Sequence, residues 1–390
     1  MPPGPAGEGR DEMTIERRDF LKTLAAGAVL GGEGLTRGAL GTGGIRARER
    51  RPAGQEVDFD DLFDEAIVID SLAVGHRWDA ETYRAIERSG YTGIQTTLSS
   101  DSLEVAVQAL AEWNRRIADN PERLVKATSA AGIEEAKRTG RMAVIFGFQN
   151  AIMVEDDVEN LDVLYDLGTR CIQLTYNSRN LLGDGCTERT QAGLSDFGVA
   201  VVERMNELGI VVDLSHCGVG TTADGIEVSR APACFTHTMC EALYRGHPRA
   251  KTDEQIRAMA DRGGVMGVAA LGYFVGPDPG PGGETGLDEY LDHVDHAVNV
   301  AGIDHVGLCT DFQLRGIEPW ATRETWYEPR LRSFKPSYNV RWPPWIPELD
   351  VPERFRNVTH GLAGRGYRPA EIEKILGRNW LRYFREVLGA

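Results

Sequence analysis

At 390 residues with 42% hydrophobic side chains, the chain is long enough to bury a large core and reads as one big globular domain or two ordinary ones. Its formal charge of −16 gives an acidic surface, which argues against nucleic acid and anionic lipid as partners.

The first segment reads as a leader. "IERRDFLKTLAAGAVLGG" places Arg17 and Arg18 together, then Phe20, Leu21, Lys22 and a short apolar run. That layout resembles a twin-arginine export signal, a plain basic tail being the alternative. The apolar run stops at Glu33, too short for a spanning helix, so the chain is expected not to cross a membrane. Residues 1–55 are therefore set apart as export signal and linker, and 56–390 as the folded domain. The location this implies is periplasmic or extracellular, reached after folding.

Eight β-rich apolar runs follow, at 66–74, 91–98, 142–149, 171–177, 210–216, 233–238, 264–271 and 305–312. Helical patterns separate them. "LEVAVQALAEWNRRIADN" spaces its apolar residues three and four apart, "FGVAVVERMNELG" does the same and stops at glycine, and "TDEQIRAMADRGG" opens on Thr252 as an N-cap. Eight strands alternating with helices indicate the α/β class and a (β/α)8 TIM barrel. A doubly wound open sheet is the alternative, but no glycine-rich dinucleotide loop follows the first run. The six cysteines, Cys171, Cys186, Cys217, Cys234, Cys240 and Cys309, form no CxxC pair and read mainly as small buried residues, with a disulfide after export left open.

A barrel delivers its working residues at the C-terminal ends of its strands. The third run ends in Gln149 and Asn150, the fourth in Tyr176 and Asn177, the fifth in His216, the sixth in His237 and the eighth in Asp311. Two histidines and an aspartate on one rim suit a borderline metal such as zinc.

Several stretches carry a family resemblance: "LVKATSAAGIEEAKRTGRMAVIFGFQNA", "LDVLYDLGTRCIQLTYNSRN", "VVDLSHCG", "GHPRAKTDEQIRAMADRGGVMGV", "HAVNVAGIDHVGLCTDF" and "RGYRPAEIEKILGRNWLRYFREV". Over about residues 60–390 the chain resembles the membrane (renal-type) dipeptidases, peptidase family M19, metallopeptidases built on an amidohydrolase-type barrel. The resemblance implies two zinc ions at the barrel mouth and a bridging hydroxide that attacks a dipeptide carbonyl. It assigns His216, His237 and Asp311 as metal ligands and Arg249 as the holder of the substrate carboxylate.

The chain also departs from the family pattern. The first-strand His-x-Asp pair is replaced by Leu72 and Val74, the bridging glutamate by Gln149, and a substrate-contacting histidine by Tyr176. His76 and Asp79, in "GHRWDAE", are candidate displaced ligands, although their spacing is wrong and they fall in a loop. After the eighth run, an insertion at about 313–350 carries Trp320, Trp326, Trp342 and Trp345 and should lie over the mouth, as a pocket wall or as structural anchoring. His247 should order the Arg249 loop, and His293 and His305 should pack.

The expectation is an exported dipeptidase-like metallohydrolase acting on a dipeptide or related small amide, with one Zn2+ at most firmly held. His216 and His237 ligate the metal, Asp311 ligates it or acts as general base, Gln149 and Tyr176 orient the scissile group, and Arg249 and Tyr176 bind substrate. The alternative is a repurposed barrel, a tailoring enzyme or binding protein for a peptide-derived metabolite. Homodimerisation is an expectation from the barrel class alone.

Overall fold

The computed structural model describes residues 57–75, 77–277, 279–280, 285–317 and 321–389. The expected export segment, His76 and Trp320 lie outside the described residues.

Each of the eight apolar runs overlaps a parallel strand: β1 (Ile69–Val74), β2 (Gly93–Thr97), β3 (Met142–Phe148), β4 (Thr169–Gln173), β5 (Val211–Asp213), β6 (Phe235–Cys240), β7 (Met266–Ala269) and β8 (Val306–Cys309). Strands β1 to β5 pair in sequence order, as do β6 to β8. Two seams close the ring. Between β5 and β6, Leu214 N–H donates to Cys234 O at 2.9 Å and Cys234 N–H to Val212 O at 3.0 Å. Between β8 and β1, Asp311 N–H donates to Leu72 O at 2.9 Å, and Thr310 donates to the Asp70 carboxylate from its backbone at 2.9 Å and its hydroxyl at 2.6 Å. The result is the α/β barrel architecture, and its near-continuous apolar strands reflect burial on both faces.

The helices form where capping chemistry permits. Ser102 caps Leu103–Ala118 by accepting from Val105 N–H. Thr252 and Gln255 form a reciprocal capping box on Asp253–Asp261. Gly209, in left-handed backbone at φ 74°, ends Asp196–Leu208. The C-terminal helix Asn379–Leu388 plugs the N-terminal end of the barrel with Trp380, Tyr383 and Phe384, all buried against Ile69, Val211 and Cys234 at the strand starts. Gly307 is needed there, because a Cβ would collide with the Trp380 indole.

Three short strands escaped the sequence pattern: Leu124–Lys126 beside β3, Ala250–Lys251 beside the end of β6, and Phe312–Gln313 beside β1. At two or three residues each, they are too short for periodicity to register. Strand ends also shift. Tyr176 and His216 lie three residues past their strands, while His237 sits inside β6.

The aromatic insertion packs onto the C-terminal rim. It contains a π-helical turn (Arg323–Tyr327) and a short helix (Glu328–Ser333). It is tied to three barrel loops: Lys335 Nζ donates to Thr187 O at 2.6 Å, His247 Nε2 to Tyr338 O at 2.9 Å, and Gly272 N–H to Pro344 O at 2.8 Å. Trp326, Trp342 and Trp345 form a chain of ring contacts 6.2 and 5.2 Å apart between centroids, so these tryptophans anchor the segment. All six cysteines are buried free thiols. Among the described residues no helix is long and apolar enough to cross a membrane.

Candidate functional site

The site is assembled where β4, β5 and β6 reach the rim. His216 sits in the turn after β5 and His237 faces it from β6, their Nε2 atoms 2.9 Å apart. Both rings are buried. Burial first, and then the Arg249 and Lys251 charges, holds both imidazoles well below their ordinary range, so both are neutral at physiological pH. Tyr176 lies flat on the His216 ring, centroids 4.1 Å apart and planes inclined by 21°.

The bonds behind the two rings decide what the pair can hold. His216 Nδ1–H donates to Asn177 Oδ1 at 2.8 Å, which leaves its Nε2 as a bare acceptor. His237 Nδ1 meets Thr236 Oγ1 at 2.7 Å, and that hydroxyl meets Asp213 Oδ2 at 2.6 Å. This chain closes in two ways. With Asp213 protonated, each group donates onward through Thr236 and His237, and His237 Nε2–H donates to His216. With Asp213 ionised, Thr236 donates to it and accepts from His237 Nδ1–H, so two bare Nε2 lone pairs face one another. The second state suits a cation, because the repulsion between the lone pairs becomes joint ligation. Burial pushes the Asp213 carboxyl up, opposed by hydrogen bonds from Ser215 and Thr236. The donor set therefore fits one cation, whose uptake from the protonated state would release one proton.

The rest of the expected ligand set is arranged differently. Asp311 adopts left-handed backbone, φ 50°, just past β8. Among the described residues no three His, Cys, Asp or Glu side chains gather closely enough to hold a metal, so Asp311 stays outside the histidine contact. It is half-buried, and burial pushes its carboxyl up to about 7, opposed by the charges of Arg249 and Arg330. Leu72 is fully buried and Val74 half-buried, and both are apolar. Gln149 stands one residue past β3, where its backbone carbonyl accepts from Gln173 Nε2. Asp79 caps the helix Ala80–Ser89 and pairs with Arg315 at 3.1 Å, which accounts for it as a surface cap.

Arg249 also braces the site, while its Nε–H is buried without a hydrogen-bond partner among the described residues. Its guanidinium is fully buried, with Nη1 donating to Ser215 O at 2.6 Å and Nη2 to His237 O at 2.7 Å. It thus straps the His216 turn to the His237 strand. His247 supports it, Nδ1 accepting from Arg249 N–H at 3.2 Å.

Sequence reasoning placed Asn177 on the rim without giving it a role and missed Asp213 and Thr236; the three set the histidine tautomers. Each lies within three residues of a histidine or tyrosine it had singled out. It also missed Lys251, buried under the site and held by Cys217 O and Thr222 Oγ1 at 2.9 Å each.

Comparison with known proteins agrees with this architecture. The profile of the membrane dipeptidase family, peptidase family M19, matches residues 63–321. Dipeptidase verJ of Clonostachys rogersoniana is 30% identical over 214 residues, 54% of this chain and 54% of the relative. Dipeptidase tcpJ of Claviceps purpurea is 26% identical over 268 residues, 68% of this chain and 56% of the relative. The matched segment thus spans about half the length of each of these two curated relatives. An amidohydrolase from Pseudomonas aeruginosa has a solved structure that is 30% identical, covering 86% of this chain and 100% of its own, with a TM-score of 0.76. With the profile matching well over half of the chain, the protein belongs to the membrane dipeptidase family, peptidase family M19.

Proposed function

We propose that the protein is an exported dipeptidase-like metallohydrolase with a single-cation site, acting on a dipeptide or a related small amide. The observation that carries this reading is the pair of inward-facing Nε2 atoms of His216 and His237, 2.9 Å apart on a family barrel. His216 and His237 hold the ion, most simply zinc, and when bound it supplies a Lewis acid for the scissile carbonyl. Asp311 is the general base, because a carboxyl raised to about 7 can both take and return a proton near neutrality. Tyr176, stacked on His216, and Gln149, at the end of β3, orient the amide. Arg249 fixes the two histidine segments relative to each other. The export part of the reading rests on the Arg17–Arg18 leader.

Leu72, Val74 and Gln149, standing where the family has ligands, support one ion in place of two. They also favour a second reading, a barrel turned to tailoring or binding a peptide-derived metabolite. Metal analysis of chelator-free protein, run beside an assay on mixed dipeptides, separates the two. One ion per chain with dipeptide turnover is expected. Two ions per chain would overturn the single-cation site. Neither metal nor turnover would leave the second reading standing.

A further inference from the structure

At the seam between β8 and β1 the chain turns sharply at Asp311. Its backbone is left-handed, φ 50°, a conformation that a residue bearing a Cβ keeps only where its surroundings enforce it. Three consecutive N–H groups enforce it here. Thr310 N–H donates to Asp70 Oδ1 at 2.9 Å, Asp311 N–H to Leu72 O at 2.9 Å, and Phe312 N–H to Thr310 Oγ1 at 3.2 Å. The closest acceptor for the single Thr310 hydroxyl proton is Asp70 Oδ2, at 2.6 Å. That hydroxyl therefore accepts from Phe312 on one side of Asp311 and ties the turn to the carboxylate on the other. Past the turn, Phe312 and Gln313 pair with Ala73 and Val74 of β1.

Asp70 is fully buried, and burying a carboxylate is costly where an apolar side chain would fill the space. Its hydrogen bonds converge on this one turn: two come from Thr310, and the third, at 3.2 Å, comes from the N–H of Leu72, whose carbonyl holds Asp311. The seam between β5 and β6 is built the same way. There buried Asp213 accepts from Thr236 N–H at 3.1 Å and meets the Thr236 hydroxyl at 2.6 Å. Thr236 directly precedes His237, as Thr310 directly precedes Asp311. In both seams a buried aspartate on one strand straps the threonine that comes just before a residue of the site.

We infer that Asp70 and Thr310 are positioning residues, which hold Asp311 in its left-handed turn and so set the place from which its carboxyl acts. The strap works through backbone, and the histidine pair is oriented by other groups, Asn177 and Thr236. Loss of the strap should therefore disturb the base and spare the ion. The inference rests on the reading of Asp311 as the base of a dipeptide hydrolase, and the test keeps the two apart.

Three variants of the full chain, loaded with zinc, are compared with wild type. Thr310→Val keeps the branched shape without the hydroxyl, Thr310→Ser keeps the hydroxyl, and Asp70→Asn leaves one acceptor oxygen for the two Thr310 donors. The readouts are hydrolysis of Ala-Ala, zinc affinity by chelator competition, and amide hydrogen exchange by mass spectrometry. Thr310→Val should lower kcat about ten- to hundredfold while KM and zinc affinity stay within about twofold. Its exchange should quicken about tenfold or more over residues 311–313 and stay unchanged around His216. Asp70→Asn should move the same readouts in the same direction, and Thr310→Ser should return them close to wild type. Wild-type kcat in both Thr310→Val and Asp70→Asn, with melting as in wild type, would overturn the positioning role and leave the dipeptide reading intact. Unchanged exchange over residues 311–313 in either folded variant would overturn it too. Should Thr310→Val not fold, Asp70→Asn against Thr310→Ser decides. Absence of turnover in wild type would remove the dipeptide reading, and the strap would then stand or fall on the exchange.

Discussion

Asp311 and Asp213 are charged groups placed where charge is costly, and each makes a measurable demand. The Asp311 carboxyl ionises near 3.8 in an unfolded chain and near 7 in the fold. Between those values the folded state holds the extra proton, so stability falls as pH rises, and the whole cost is present above about 7. Asp311→Asn should therefore raise the melting temperature more at pH 8 than at pH 5, a difference read by calorimetry at the two pH values. Equal gains would show that the wild-type carboxyl is not raised. For Asp213, uptake of one zinc ion should release about one proton, seen as a dependence of the binding enthalpy on buffer ionisation. Asn177→Ala, which frees the His216 ring to turn, should weaken zinc about ten- to hundredfold in a competition titration with a chromophoric chelator. His216, His237 and Asp311 were all visible as polar residues interrupting apolar runs. The three-dimensional partners that fix their protonation were not, because hydrogen bonds between neighbouring strands leave no trace in a linear pattern.

At the scale of elements, the sequence was a good guide to strands and a poor one to their ends. Continuous apolar runs mark strands buried on both faces, and all eight were readable in order. Where a strand stops depends on its neighbour's register. His216 lies beyond β5 because that strand pairs with β4 only through Asp213, whereas β6 continues to Cys240 beside Ala250–Lys251. Close approach between strands was equally hidden. On β7, a Cβ at Gly267 would fall against Thr236 O and the Ser71 hydroxyl, which itself donates to Thr236 O at 2.6 Å. Gly267→Ala should therefore cost about 1–3 kcal/mol of stability by denaturant titration, through overpacking against backbone that cannot move aside. The insertion was recognised by its tryptophans, and its position over the mouth follows from where it leaves β8. Its anchoring character required the ring contacts to be seen.

For the molecule as a whole, the barrel is closed at one end by the C-terminal helix and covered at the other by the insertion. The closure at the first end is apolar and large. A chain ending at residue 378 would lack Trp380, Tyr383 and Phe384 and open a cavity beneath Ile69, Val211 and Cys234. Such a chain should show no cooperative thermal transition and should bind a dye that lights up on exposed apolar surface.

The six thiols lead to one more consequence. They are dispersed through the interior and none is joined to another. Across the described residues, the fold is held without a disulfide cross-link. A reductant such as dithiothreitol, added to zinc-free protein, should leave the melting curve where it was.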